Sequence, residues 1–72
     1  MNHVMMQLIR AAIGFAQTDL ELSAKFMRQG DRDLIEGTDH ALKLRVRYTE
    51  RRLKLAKNQI DAALALLRSD HE

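Results

Sequence analysis

The chain contains no cysteine and no proline, and only three of its 72 residues are glycine. Without cysteine there is no disulfide framework, no thiolate zinc site and no cysteine nucleophile. Without proline, and with glycine confined to positions 14, 30 and 37, little interrupts a helix. Aromatic residues are scarce as well: one tyrosine, two phenylalanines and no tryptophan. The longest uninterrupted apolar run, Ala62 to Leu67, falls far short of the roughly 18–20 residues that span a bilayer. The first residues lack a basic region followed by a continuous apolar stretch and a small-residue cleavage site. No cleaved signal peptide is therefore expected, and the cytoplasm is the default location.

What remains is 46% apolar and 31% charged, the composition of one small folded domain rather than a disordered tail. The net charge of +2 hides a blocky distribution. Residues 43–57 carry Lys43, Arg45, Arg47, Arg51, Arg52, Lys54 and Lys57 against Glu50 alone. The preceding stretch, 30–42, is acidic, with Arg32 set against Asp31, Asp33, Glu36 and Asp39. Such asymmetry speaks for a local partner preference more than the net charge does.

Placed about 100° apart on a helical wheel, residues 2–28 resolve into two sectors. Val4, Met5, Leu8, Ile9, Ala12, Ile13, Phe15, Ala16, Leu20, Leu22, Phe26 and Met27 lie in one arc, and Gln7, Arg10, Gly14, Gln17, Glu21, Lys25 and Arg28 in the other. The apolar arc is roughly 220° wide, about twice what a helix resting on one neighbour needs. Gly30 suits a left-handed helix end and Asp31 a cap for the next helix. The favoured arrangement is a helix over about 2–28, a turn over about 29–31, and a long helix over about 32–69. A second helix beginning after Gly37, at Thr38, competes with it.

That second helix shows two apolar seams stepping by threes and fours. One includes Leu42, Val46, Thr49, Leu53, Ala56, Ile60, Ala63 and Leu67; the other includes Leu44, Tyr48, Leu55, Ala62 and Leu66. Two seams imply two neighbours, and a second copy of the chain is the simplest completion. The expected fold is all-α: an antiparallel two-helix hairpin that dimerises into a four-helix bundle. Its interface with a second copy or with a protein partner is expected to use Leu8, Phe15, Leu22, Phe26, Leu42, Val46, Leu53, Ile60 and Leu67. With a turn at 29–31 the second helix outruns the first, so its end near Ala62 to Leu67 needs a partner to cover it.

Arg45 and Arg52 sit seven apart in the valley between these seams, and Asp19 sits inside the apolar arc of the first helix. An antiparallel hairpin puts Asp19 near residues 41–48, so an Asp19–Arg45 ion pair is expected, fixing register as polar seam residues do. Lining an anion pocket is the other role open to these arginines. Lys43, Arg47, Arg51, Lys54 and Lys57 project from the polar side as a basic stripe. It is a solvated helix face, a steering surface for an acidic protein, or a track for a nucleic-acid backbone. No nucleic-acid motif accompanies it.

His3, His40 and His71 are too scattered to suggest a metal, and no cofactor motif is present. Neither a nucleophile elbow, a phosphate-binding glycine loop nor a carboxylate pair in an apolar surround appears. The sequence thus points to a small non-catalytic regulator that binds another protein through apolar helical surface, as a homodimer. The alternative is a dimeric nucleic-acid binder using residues 43–57.

Overall fold

The computed structural model describes residues 1–71 as two helices and, among those residues, no strand. Helix α1 runs His3–Glu36 and helix α2 runs Asp39–His71. Asn2 opens α1: its backbone is extended, and its side-chain oxygen accepts from the Met5 amide at 2.8 Å, relieving one of the donors a helix start leaves free. Gly37 closes α1 in the left-handed conformation at φ 70° and ψ 27°. Its amide turns back to Leu34 and the Thr38 amide reaches the Asp33 carbonyl at 3.0 Å, the paired bonds of a Schellman ending. The Thr38 hydroxyl also donates to Asp33, at 3.4 Å to Oδ1. Thr38 then starts α2, its carbonyl accepting from the Leu42 amide at 3.1 Å.

The turn is therefore at Gly37–Thr38, not at 29–31, and α1 continues through Gly30 and Asp31. Glycine 30 is inside the helix for another reason: a methyl group there would sit 3.4 Å from the Leu42 side chain across the hairpin. It marks close approach of the two helices rather than an end. With the turn moved, the helices have nearly equal lengths of 34 and 33 residues, and α2 does not outrun α1. Ala63, expected to need a partner, is buried within the hairpin beside Ile9 and Ala12, with Leu66 packed against them.

The pairing is antiparallel along the whole length, in a slender body 53 by 16 by 11 Å. The Met1 ammonium reaches Asp70, Ile9 packs near Ala63, Arg52 meets Asp19, and Gly30 faces Leu42. These pairs share one register. The residues that α1 turns inward step alternately by three and four: Ile9, Ala12, Ala16, Asp19, Ser23, Phe26, Gly30, Asp33. On α2 the matching series is Leu42, Arg45, Thr49, Arg52, Ala56, Gln59, Ala63, Leu66. This is heptad spacing, but apart from Ile9, Phe26, Leu42 and Leu66 the occupants are small or polar. The buried apolar residues are Ile9 and four alanines, at 12, 16, 56 and 63.

The seam joining the helices is thus neither of the two apolar seams of α2 but the valley between them. Small side chains allow the helices to close tightly. The arginines are tolerated because carboxylates meet them and their long side chains extend toward water.

Candidate functional site

Because the seam takes the small residues, the large apolar ones flank it on both sides. Among the described residues, seventeen large apolar side chains are exposed, far more than the scattered few a self-sufficient monomer shows. Thirteen of them, joined by the half-buried Leu22, fall into rows seven residues apart. On α1 one row is Leu8, Phe15 and Leu22, and a second is Met6, Ile13, Leu20, Met27 and Leu34. On α2 one row is Tyr48 and Leu55, continued by Ala62, and the other is Val46, Leu53, Ile60 and Leu67.

In an antiparallel pair, residues that follow the seam on the two helices point to the same side, and residues that precede it point to the other. One broad face, face A, therefore joins Ile13, Leu20 and Met27 of α1 to Val46, Leu53 and Ile60 of α2. The opposite face, face B, joins Leu8, Phe15 and Leu22 to Tyr48 and Leu55. Val4 and Leu44 widen face B, and Phe15 at its middle is 61% exposed.

The nine residues expected at the interface with a second copy or a protein partner are thus divided by the structure. Leu8, Phe15 and Leu22 lie on face B, and Val46, Leu53, Ile60 and Leu67 lie on face A. Phe26 and Leu42 belong to the seam. Sequence reasoning missed the α1 half of face A, although Met6, Ile13, Leu20, Met27 and Leu34 recur at exact sevens.

The two faces differ in charge. Face A has no ionisable side chain in its five-membered α1 row or its Val46–Leu67 row, and the Lys43, Arg47 and Glu50 that line a groove with Val46 at its edge include both signs. Through face B runs a polar strip, because the charged members of the seam emerge there. Phe26, Arg45, Tyr48, Arg51 and Arg52 line a shallow groove of about 270 Å³, with the Phe26 and Tyr48 rings tilted at 44° and 5.8 Å apart.

The expected Asp19–Arg45 pair does not form. Asp19 accepts instead from Arg52 Nη1 at 3.3 Å, while Arg45 Nε lies 3.4 Å from Asp33 Oδ2 near the turn. The two arginines stand one heptad apart, and the observed register, with Gly30 against Leu42 and Ile9 near Ala63, sets Arg52 rather than Arg45 opposite Asp19. The Arg45–Asp33 approach is ion pairing without a hydrogen bond: Arg45 Nε, Asp33 Oδ2 and the neighbouring Gln29 Oε1 are buried and unpartnered. Ser23 and Thr49 turn their hydroxyls back to the carbonyls of Asp19 and Arg45 on their own helices, each at 2.8 Å. These bonds use up the donors of both hydroxyls in the seam.

The basic stripe lies on the outer side of α2 and is partly neutralised. Lys54 pairs with Glu50 at 3.1 Å and Lys57 with Asp61 at 2.8 Å. The hydrogen bond from Lys57 to Asp61, with the attraction of that carboxylate, raises the lysine pKa above its usual value. Such exposed pairs add little stability, yet they dilute the positive field of the stripe. Lys43, Arg47 and Arg51 form no ion pair within the chain among the described residues.

Among the described residues no three histidine or acidic side chains converge closely enough to hold a metal ion. The side chain of His71 lies outside them. No described helix is long and apolar enough to cross a membrane. No protein-family model, curated protein or solved structure matches the chain.

Proposed function

We propose that this chain is a small non-catalytic regulator that acts as a homodimer, binding another protein through apolar helical surface and occluding a functional surface of it. The observation that carries this reading is the inversion of the usual pattern in a helical hairpin. The seam between the helices is mostly alanine, glycine and polar residues, with Ile9, Phe26, Leu42 and Leu66 as its large apolar members, while among the described residues seventeen large apolar side chains stay exposed, most of them on the two outer sides. Burying apolar side chains is the main favourable term in folding and association, at about 25 cal/mol per Å². A chain that leaves this much of it outside the hairpin keeps it for association.

Leu8, Phe15 and Leu55 are the residues proposed to dock the target, in the manner of a helix face covering an apolar groove. Arg45, Arg51 and Arg52 beside them favour a target with carboxylates at the rim of that groove. Lys43 and Arg47 steer its approach, an effect on association rate that fades with salt.

Affinity capture of the tagged chain from its native cell, repeated with Phe15→Asp, tests the proposal. A protein retained by the natural chain, lost with Phe15→Asp, and inhibited in purified form on titration with the natural chain supports it. In parallel, labelled duplex and single-stranded DNA and RNA are titrated at low and physiological salt. Tight binding that falls steeply with salt and vanishes with Arg47→Glu plus Lys54→Glu replaces protein targeting with nucleic-acid binding. The same double change only slows docking of an apolar protein target.

A further inference from the structure

We infer that the two outer faces have separate occupants, and that face A, whose apolar rows carry no ionisable side chain, is where a second copy of this chain docks. This deepens the homodimer of the preceding reading and rests on it.

Three observations select a second copy for face A. The first is charge. The α1 and α2 rows of face A bring no ionisable group to its centre, and the charges along its α2 edge, Lys43, Glu50 and Lys57, are of mixed sign, so two copies meet there without burying like charge against like. Face B fails this requirement. Arg51 and Arg52 lie near the middle of α2 and line the groove beside Tyr48, so stacking two copies through face B with α2 against α2 brings their arginines together. Only Arg52 has a carboxylate of its own, and the excess positive charge would be buried against its like. Juxtaposed like charges cost an interface several kcal/mol.

The second is periodicity. A two-fold interface requires a surface that complements itself. Leu20 on α1 and Leu53 on α2 both lie near mid-length, with apolar residues seven positions away on either side of each. Rows of equal spacing interdigitate with copies of themselves as knobs between knobs, the packing of four-helix bundles.

The third is size. The broad side of the hairpin measures 53 by 16 Å, enough to supply the roughly 800 Å² per partner that a stable specific interface buries. One flat side supplies the whole interface, and face B stays outward.

The absence of cysteine makes the test direct. Leu53→Cys puts a single thiol at the middle of face A, and Leu55→Cys puts one at the middle of face B. Both side chains are already substantially exposed in the hairpin, at 46% and 41%, so each variant retains the seam. Each full-length variant is treated at micromolar concentration with a short bis-maleimide and run on a denaturing gel, while sedimentation gives the mass of the untreated natural chain. The expected result is a dimer mass, a strong covalent dimer with Leu53→Cys, and its loss with Leu55→Cys. Covalent dimer from Leu55→Cys alone, or equally from both, overturns the assignment of face A while leaving self-association intact. A dimer mass with neither thiol cross-linked overturns it as well. A monomer mass removes the homodimer from the proposed function together with this inference, and capture of the target then stands or falls by itself.

Discussion

Arg52 donates to Asp19 across the hairpin, Nη1 to Oδ1 at 3.3 Å, at a level of the seam between the alanines 16 and 56 and the hydroxyl residues 23 and 49. The carboxylate is buried while the arginine side chain stays 41% exposed, so water screens part of the attraction. Asp19→Ala removes a charged hydrogen bond and leaves an arginine that can still reach solvent. The expected loss is about 1–2 kcal/mol of stability, below the full value for a buried charged bond. Urea unfolding at one fixed chain concentration measures it. A change within about ±0.5 kcal/mol, the range of ordinary surface positions, would show that the pair does not hold the seam.

Replacing both partners has the opposite sign. Asp19→Leu with Arg52→Leu exchanges the ion pair for two apolar side chains, and such exchanges are commonly neutral or stabilising by about 1–4 kcal/mol. The double variant should unfold at an equal or higher urea concentration than the natural chain. If it proves less stable than Asp19→Ala alone, the volume at that layer is smaller than the register implies.

Two glycines separate turn from helix. Gly37 has φ 70°, where a side chain is strained, so Gly37→Ala should cost about 1–2 kcal/mol. Gly14 lies within α1 with nothing within 4 Å of an added methyl group, so Gly14→Ala should gain about 0.5–1 kcal/mol from helix propensity. Thermal unfolding of the two variants side by side, at equal concentration, checks both signs. Equal effects would place the turn elsewhere.

The two helices, their antiparallel pairing and the excess of apolar surface were legible in the amino-acid sequence, because each follows from the periodicity of large residues. The turn and the seam were not. Gly30 and Gly37 are both plausible helix ends by composition; Thr38 following Gly37 and hydrogen-bonding back to Asp33 is what separates them. Apolar periodicity gives most weight to leucine and isoleucine, and in this chain those residues mark the outer faces. The seam is carried by Ala16, Ser23 and Gly30 on one helix and by Thr49, Ala56 and Ala63 on the other, each trio at exact sevens. That pattern is visible only when small residues are read as a periodic signal of their own. Without that signal the register was open, and Asp19 was paired with the arginine one heptad from its actual partner.

The small-residue seam itself makes the last prediction. Ala16 and Ala56 retain 4% and 2% of their exposure, and the shared register brings them to the same level. A leucine at either position has no open space to enter, so it must force the helices apart or take a strained rotamer, at about 1–3 kcal/mol. Ala56→Leu should therefore lower the unfolding midpoint, although leucine is a good helix former and adds apolar volume. Leu55→Ala, one residue away on face B, removes three of the four side-chain carbons, yet it should barely change the stability of the hairpin itself, because Leu55 is 41% exposed there. Thermal unfolding across a dilution series separates the two effects: the Ala56→Leu loss persists at every concentration, since it acts within one chain. If Ala56→Leu instead stabilises the protein, the helices are not closed on alanine, and the outward placement of the large residues loses its structural cause.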